Sequence, residues 1–133
     1  MCHMNERADV VKRMYAAINA GDVAAAAACF APDAVWILPG RGPMAGAHRG
    51  VQEIHENFFA RIGPLSGGTF RAELLDVAEG ERYVVAVQRA TAEHGGLTLD
   101  VTGCQLMTVE DGRITEVRGH YSDQYALDEF WSQ

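Results

Sequence analysis

Cysteine is scarce and unpatterned in this chain. Cys2, Cys29 and Cys104 are odd in number, far apart and without a C-x-x-C pair, which argues against both a disulfide framework and a zinc site. Positive charge is equally thin: 11 Lys plus Arg stand against 18 Asp plus Glu, the formal net charge is -7, and no basic run exists to neutralise phosphates. Nucleic acid and anionic membrane are therefore poor partners. No apolar run approaches the roughly 18 residues of a membrane helix, and the opening MCHMNERADVV lacks the apolar core of a signal peptide. A cytoplasmic protein is the expectation. Metal-ligand spacing, a Ser-His-Asp set and a phosphate-cradling glycine loop are all missing, so neither a metal nor a cofactor is expected.

What is present fits one domain, residues 1–133, with a single core. Val10, Val11, Met14, Tyr15 and Ile18 form one stripe of a helix from Asn5 to Asn19, with Asn5 placed to cap it and Gly21 to stop it. Asp22 is placed to cap a second short helix through the alanine run to Cys29 and Phe30, after which Pro32 and Asp33 turn the chain into a strand, Ala34 to Leu38. Pro39 to Gly50 is crowded with proline and glycine and reads as a loop over one end of the fold. Val51, Ile54, Phe58 and Ile62 predict a third helix from Gly50, stopping at Gly63 and Pro64.

The period then changes. Thr69 to Val77, Arg82 to Glu93, and a long hairpin from Leu97 to Asp123 turning at Val109, Glu110, Asp111 and Gly112 read as a four-stranded antiparallel meander. Helices followed by such a sheet predict an α+β fold with the helices on one face. Along Leu97 to Val109 the odd positions are almost wholly apolar and the even ones are mixed, small and polar. Two readings follow. Either the mixed face lines a cavity beneath the helices and the apolar face is covered by a second copy of the chain, or the apolar face packs inward and the mixed face meets water.

Four stretches together, VVKRMYAAINAGD (10–22), APDAVWILPG (31–40), GVQEIHENFFARI (50–62) and VEDGRITEVRGHYSD (109–123), resemble the SnoaL-like and ketosteroid-isomerase-like proteins of the nuclear transport factor two-like superfamily. The resemblance covers nearly the whole chain. It implies a cone-shaped, strongly curved antiparallel sheet packed with three N-terminal helices and closed by a short C-terminal helical segment. It further implies an apolar pocket in the cone and a homodimer through the back of the sheet, and so favours the cavity reading of the mixed face. The superfold carries enzymes and non-enzymes alike, so the resemblance is specific for fold and weak for activity.

Matched residue by residue, the resemblance mostly removes activities. Met14, Leu38 and Cys104 stand where ketosteroid isomerases keep a tyrosine, a base aspartate and a protonated aspartate, which makes steroid isomerisation improbable. Arg89 matches the arginine of limonene-epoxide hydrolases, but their two water-activating aspartates fall on Thr91 and Gly119. Asp123 alone stands at a family catalytic position, that of the acid-base aspartate of SnoaL-like polyketide cyclases.

The expected site follows. Asp123 is the candidate general base, with His120 three residues earlier to orient it; the dull alternative is a helix N-cap before QYALDEFW. Arg89, in the apolar strand AVQRATA, needs a carboxylate or an anionic ligand group, and Asp100 on the neighbouring strand is its expected partner, as a substrate clamp or a structural ion pair. Tyr15 and Trp36 are candidate flat walls for a cyclic substrate, with Met14, Phe58, Asp100 and Cys104 completing the lining. His48 is either a residue at the pocket mouth or an exposed loop histidine. The expected partner is a small apolar molecule. Two functions stay open: a cofactor-independent acid-base enzyme of isomerase, cyclase or hydrolase type on a small apolar cyclic or polyketide-like molecule, and a non-catalytic dimeric binding or scaffold protein.

Overall fold

The computed structural model describes residues 6–133; the expected Asn5 cap lies outside them, as does Cys2. Helix α1 (Glu6–Asn19) buries Val10, Val11, Met14 and Tyr15, the stripe its spacing dictates. Its last residue ties it to the sheet. The Asn19 amide donates to the Ala72 carbonyl at 2.9 Å and accepts from the Ala72 N–H at 2.8 Å, mimicking a strand neighbour. The Asp22 carboxylate accepts from the Ala25 N–H at 3.0 Å and so caps α2 (Val23–Ala27). That helix ends before Cys29, because Phe30 already belongs to a strand.

Six strands form one sheet in the order β2-β1-β6-β5-β4-β3. They are β1 (Phe30–Leu38), β2 (Gly46–Arg49), β3 (Arg71–Glu79), β4 (Val84–His94), β5 (Leu97–Glu110) and β6 (Arg113–Tyr121). The meander β3 to β6 has the expected antiparallel order. Two differences lie at its far side. First, β1 starts four residues earlier than expected and runs parallel to β6, with an irregular register between Phe30 and Val35 where Pro32 cannot donate a ladder bond. Second, the presumed loop from Pro39 to Gly50 contains β2, which pairs antiparallel with β1 from Val35↔Arg49 to Leu38↔Gly46.

The third helix also departs from its expected end. Helix α3 (Val51–Ile54), a π-helical turn (His55–Phe59) and α4 (Ala60–Ser66) follow without a break, so the helical path passes through Gly63 and Pro64. Pro64 would oppose the ladder of a regular helix. The π turn just before it loosens that ladder, and the end is secured beyond Pro64, where the Ser66 hydroxyl donates to the Ile62 carbonyl at 2.6 Å and the Gly68 N–H to the Gly63 carbonyl at 2.9 Å.

The sheet faces decide between the two sequence readings, and the plain one holds. On β5 the odd residues Leu99, Val101, Gln105, Met107 and Val109 are buried beneath the helices, whereas Thr98, Asp100 and Thr102 are exposed. On β4 the inward set is Val84, Ala86, Gln88, Ala90 and Ala92. Turning β5 over would expose four large apolar side chains and bury an aspartate, two penalties of the same sign. The cavity reading of the mixed face is thus corrected, and with it the idea that the apolar face serves as an interface between copies. Helix α5 (Gln124–Trp131) closes the open end of the curved sheet with Leu127, Phe130 and Trp131.

Candidate functional site

Beneath the helices, the inner face of the sheet encloses a narrow chamber. Its lower part lies between Met14 and Tyr15 of α1, Trp36 of β1, Phe58 of the π turn, and Gln88, Gln105 and Tyr121 of the sheet. Its upper part runs on past Phe58, Gln88 and Tyr121 to a mouth formed by Leu38, Met44, Leu127 and Trp131. Each part offers about 30 Å³ of free volume, room for a water or two. The lower part also adjoins a side groove between α1 and α4. Ile18, Ile62 and Phe70 line both the chamber and this groove, which offers about 340 Å³.

Aromatic packing builds the floor. Trp36 packs against Phe58 with ring centroids 4.7 Å apart and planes tilted by 56°, and Phe59 and Phe30 continue the cluster at 5.6 and 5.8 Å from Trp36. Polar groups enter this apolar setting as two pairs. The Tyr15 hydroxyl donates to Gln88 Oε1, and Gln105 Nε2 donates to the Tyr121 hydroxyl at 2.8 Å. Both amides sit in the middle of inward faces that are otherwise apolar. Burial pushes the Tyr15 phenol far above its usual range, and the nearby Tyr121 and Cys104 reinforce the shift. Tyr121 moves the same way, burial outweighing the opposing hydrogen bond from Gln105. Both phenols are therefore neutral; the Tyr15 proton is committed to Gln88, whereas the Tyr121 hydroxyl accepts from Gln105 and keeps its own proton free to donate.

At the mouth, Asp128 is the carboxylate that lines the chamber. Gln124 Nε2 donates to Asp128 Oδ1 at 3.0 Å and to the Pro39 carbonyl at 3.3 Å, clamping α5 over the end of β1. Gly40, at φ +95°, makes this approach possible, because a Cβ there would stand 2.3 Å from both Asp128 Oδ1 and Gln124 Nε2. Among the described residues, no group of three or more His, Cys, Asp or Glu side chains is placed to hold a metal.

The structure separates the sequence-nominated residues into two sets. Met14, Tyr15, Trp36 and Phe58 line the chamber. Asp123, His120, Arg89, Asp100 and Cys104 do not. Arg89 and Asp100 form an ion pair on the outer face, the alternative to a substrate clamp. Cys104 and His120 stand opposite each other across β5 and β6, again outside, because strand alternation ties them to Asp100 and Thr102 rather than to Gln105. The Asp123 carboxylate accepts from the Ala126 N–H at 3.0 Å as the N-cap of α5. His48 is neither exposed nor at the mouth lining; it is buried, with Nε2 at 2.6 Å from the Met44 carbonyl.

Gln88, Gln105, Tyr121, Phe70 and Asp128 complete the site and are not among the nominated residues. For the two glutamines the signal was available, since each interrupts an apolar alternation. Such an interruption inside a buried face must find a partner.

Comparison with known proteins agrees with this architecture. The family described as SnoaL-like domain matches residues 11–117. An uncharacterised protein of Mycobacterium tuberculosis is 38% identical over 128 residues, covering 93% of this chain and 95% of its own. Bal32a, from a soil-derived mobile gene cassette, superposes with a TM-score of 0.91 at 41% identity, over 97% of this chain and 98% of its own. A nuclear transport factor two-like protein of Burkholderia xenovorans superposes with a TM-score of 0.77 at 24% identity, over 98% of both chains; it supports the fold alone.

Proposed function

The chain belongs to the SnoaL-like domain family, and from that premise we propose that it binds a small, largely apolar molecule, its body in the side groove and its head in the chamber. The observation that carries this reading is the pair of Tyr–Gln contacts set into otherwise apolar walls. A few fixed polar groups in an apolar concavity are what orients a small ligand. The chamber alone is too small for a ring, and the groove of about 340 Å³ beside it supplies the missing space. The test is calorimetric titration with 4-hexylanisole, an uncharged apolar probe. Ala72 is buried on the lower chamber wall, so Ala72→Leu should abolish binding while the circular dichroism spectrum stays that of the parent. Unchanged affinity in that variant would put the ligand elsewhere.

The neutral phenols favour a second reading, acid-base turnover of isomerase, cyclase or hydrolase type on a cyclic or polyketide-like molecule. Tyr121 supplies the donor that a developing oxyanion needs, and Asp128 supplies a base at the mouth in place of Asp123 and His120. Loss of turnover, with binding retained, in Tyr121→Phe supports it; equal turnover in parent and variant overturns it.

Pairing of two copies belongs to the same reading. It uses the outer face of the sheet, where Val87 is 37% exposed and Leu75, on the neighbouring strand, is 50% exposed. Light scattering on a size-exclusion column tests it, and a monomer at micromolar concentration overturns it.

A further inference from the structure

Two side chains that line the lower chamber each carry a buried polar atom with no hydrogen-bond partner among the described residues. Trp36 is 3% exposed and its Nε1–H is unpartnered; Gln105 is 2% exposed and its Oε1 is unpartnered, its Nε2 being committed to Tyr121. Both side chains line the same space. Buried polar atoms are almost always satisfied in a folded protein, so two orphans at one site point to something absent that serves both. A hydroxyl group is the simplest chemistry that accepts from one and donates to the other.

The charge around the site narrows the class further. Among the described residues, no Lys, Arg or His lines either part of the chamber, and the carboxylate at its mouth is Asp128. An anionic head would be stripped of water in the chamber with no cation there to receive it, since Arg71 lines the groove and not the chamber. The partition formed by Ile18, Ile62 and Phe70 places this polar spot directly beside the apolar groove.

We infer that the chamber is built for the uncharged hydroxyl head of an apolar molecule, such as an alkylated phenol, with Trp36 donating to the hydroxyl oxygen and Gln105 Oε1 accepting its hydrogen. This rests on the small-ligand reading above and adds the head-group chemistry. Phe70 acts as the side wall past which the head enters, because it lines the chamber, its upper part and the groove.

Three matched probes test it by calorimetry at neutral pH: 4-hexylphenol, which donates and accepts; 4-hexylanisole, which accepts only; and 4-hexylbenzoate, which is anionic. The expected order is phenol over anisole by roughly tenfold, the size of one well-placed hydrogen bond to a buried partner, with benzoate weaker than either. Gln105→Leu should remove the advantage of phenol over anisole, and Trp36→Phe should weaken both neutral probes. Should Gln105→Leu fail to fold, Trp36→Phe, which keeps the aromatic wall, still decides. Equal affinity for phenol and anisole, or a phenol affinity untouched by Trp36→Phe, overturns the head-group inference and leaves a water serving the two atoms. Failure of all three probes to bind overturns the small-ligand reading itself.

Discussion

Arg89 and Asp100 meet in a two-pronged ion pair on the outer face of the sheet, Nε to Oδ1 at 2.9 Å and Nη2 to Oδ2 at 2.7 Å. Their strands pair so that Arg89 stands opposite Thr102 and Asp100 opposite Thr91, which makes this a diagonal cross-strand contact. Both side chains remain about half exposed, so solvent and salt screen them. The arginine holds the Asp100 carboxyl below its usual range. A lowered folded-state value contributes stability above the ordinary aspartate range, lost as the pH falls through it. Exposure keeps that contribution small. Arg89→Ala and Asp100→Ala should therefore leave the melting temperature and the affinity for 4-hexylanisole near those of the parent. A loss of binding in either variant would mean that the outer face, and not the chamber, meets the ligand.

Asp123 is predicted to act through α5. Asp123→Ala removes the hydrogen bond to the Ala126 N–H and should cost about 1 kcal/mol, a fall of about 4 °C at this chain length. Asp123→Ser retains a capping oxygen and should recover most of it. Thermal unfolding of the two variants checks this. If Asp123→Ser and Asp123→Ala are instead equally stable and equally deficient in turnover of a substrate, the carboxylate has a chemical role.

Tyr15 and Tyr121 set an alkaline limit. Each phenol is held above its usual range by burial, so the native state holds a proton that the unfolded chain releases from about pH 10. The corresponding stability is complete below that pH and declines as the pH rises from there toward the folded-state values. Spectrophotometric titration should accordingly show Tyr15 and Tyr121 ionising only as the protein unfolds. Tyr15→Phe should destabilise by about 1–3 kcal/mol, because Gln88 Oε1 loses its buried donor. Ionisation of Tyr15 and Tyr121 near pH 10 without unfolding would refute the closed chamber.

Much of the fold is written in periodicities, because burial enforces them: the stripe Val10, Val11, Met14, Tyr15 and the odd residues of β5 both lie where their spacing puts them. The face assignment was harder, since alternation states that two faces differ and not which one the helices cover. Here the resemblance pulled the wrong way, and the cost of burying Asp100 settled the matter. Half of the chamber was legible for a related reason. Met14, Tyr15, Trp36 and Phe58 lie on helical or aromatic stripes, whereas Gln88 and Gln105 show themselves only as interruptions. Asp123 stayed open between two readings because an N-cap and a catalytic carboxylate look alike in sequence, and Pro64 misled because a π turn upstream is invisible in it.

Gly103 tests how tightly the wall of the chamber is built. On β5 it stands opposite Tyr121 of β6, and a Cβ added there would fall 2.6 Å from the His120 carbonyl oxygen and 2.7 Å from Tyr121 Cδ1. The first of these atoms is backbone within a ladder and has no room to withdraw. The ring of Tyr121 is therefore seated directly over Gly103, which fixes where its hydroxyl meets Gln105 Nε2. Gly103→Ala should cost about 1–3 kcal/mol and displace that ring, lowering both the melting temperature and the affinity for 4-hexylphenol. Gly112→Ala controls for a general loss of stability: Gly112 has a φ of +78° with open space around it, in the turn far from the chamber, so strain there should lower the melting temperature while affinity at a temperature where both proteins are folded stays unchanged. Equal losses of affinity in the two variants would show that Tyr121 owes its position to the stability of the sheet as a whole and not to the missing side chain beneath it.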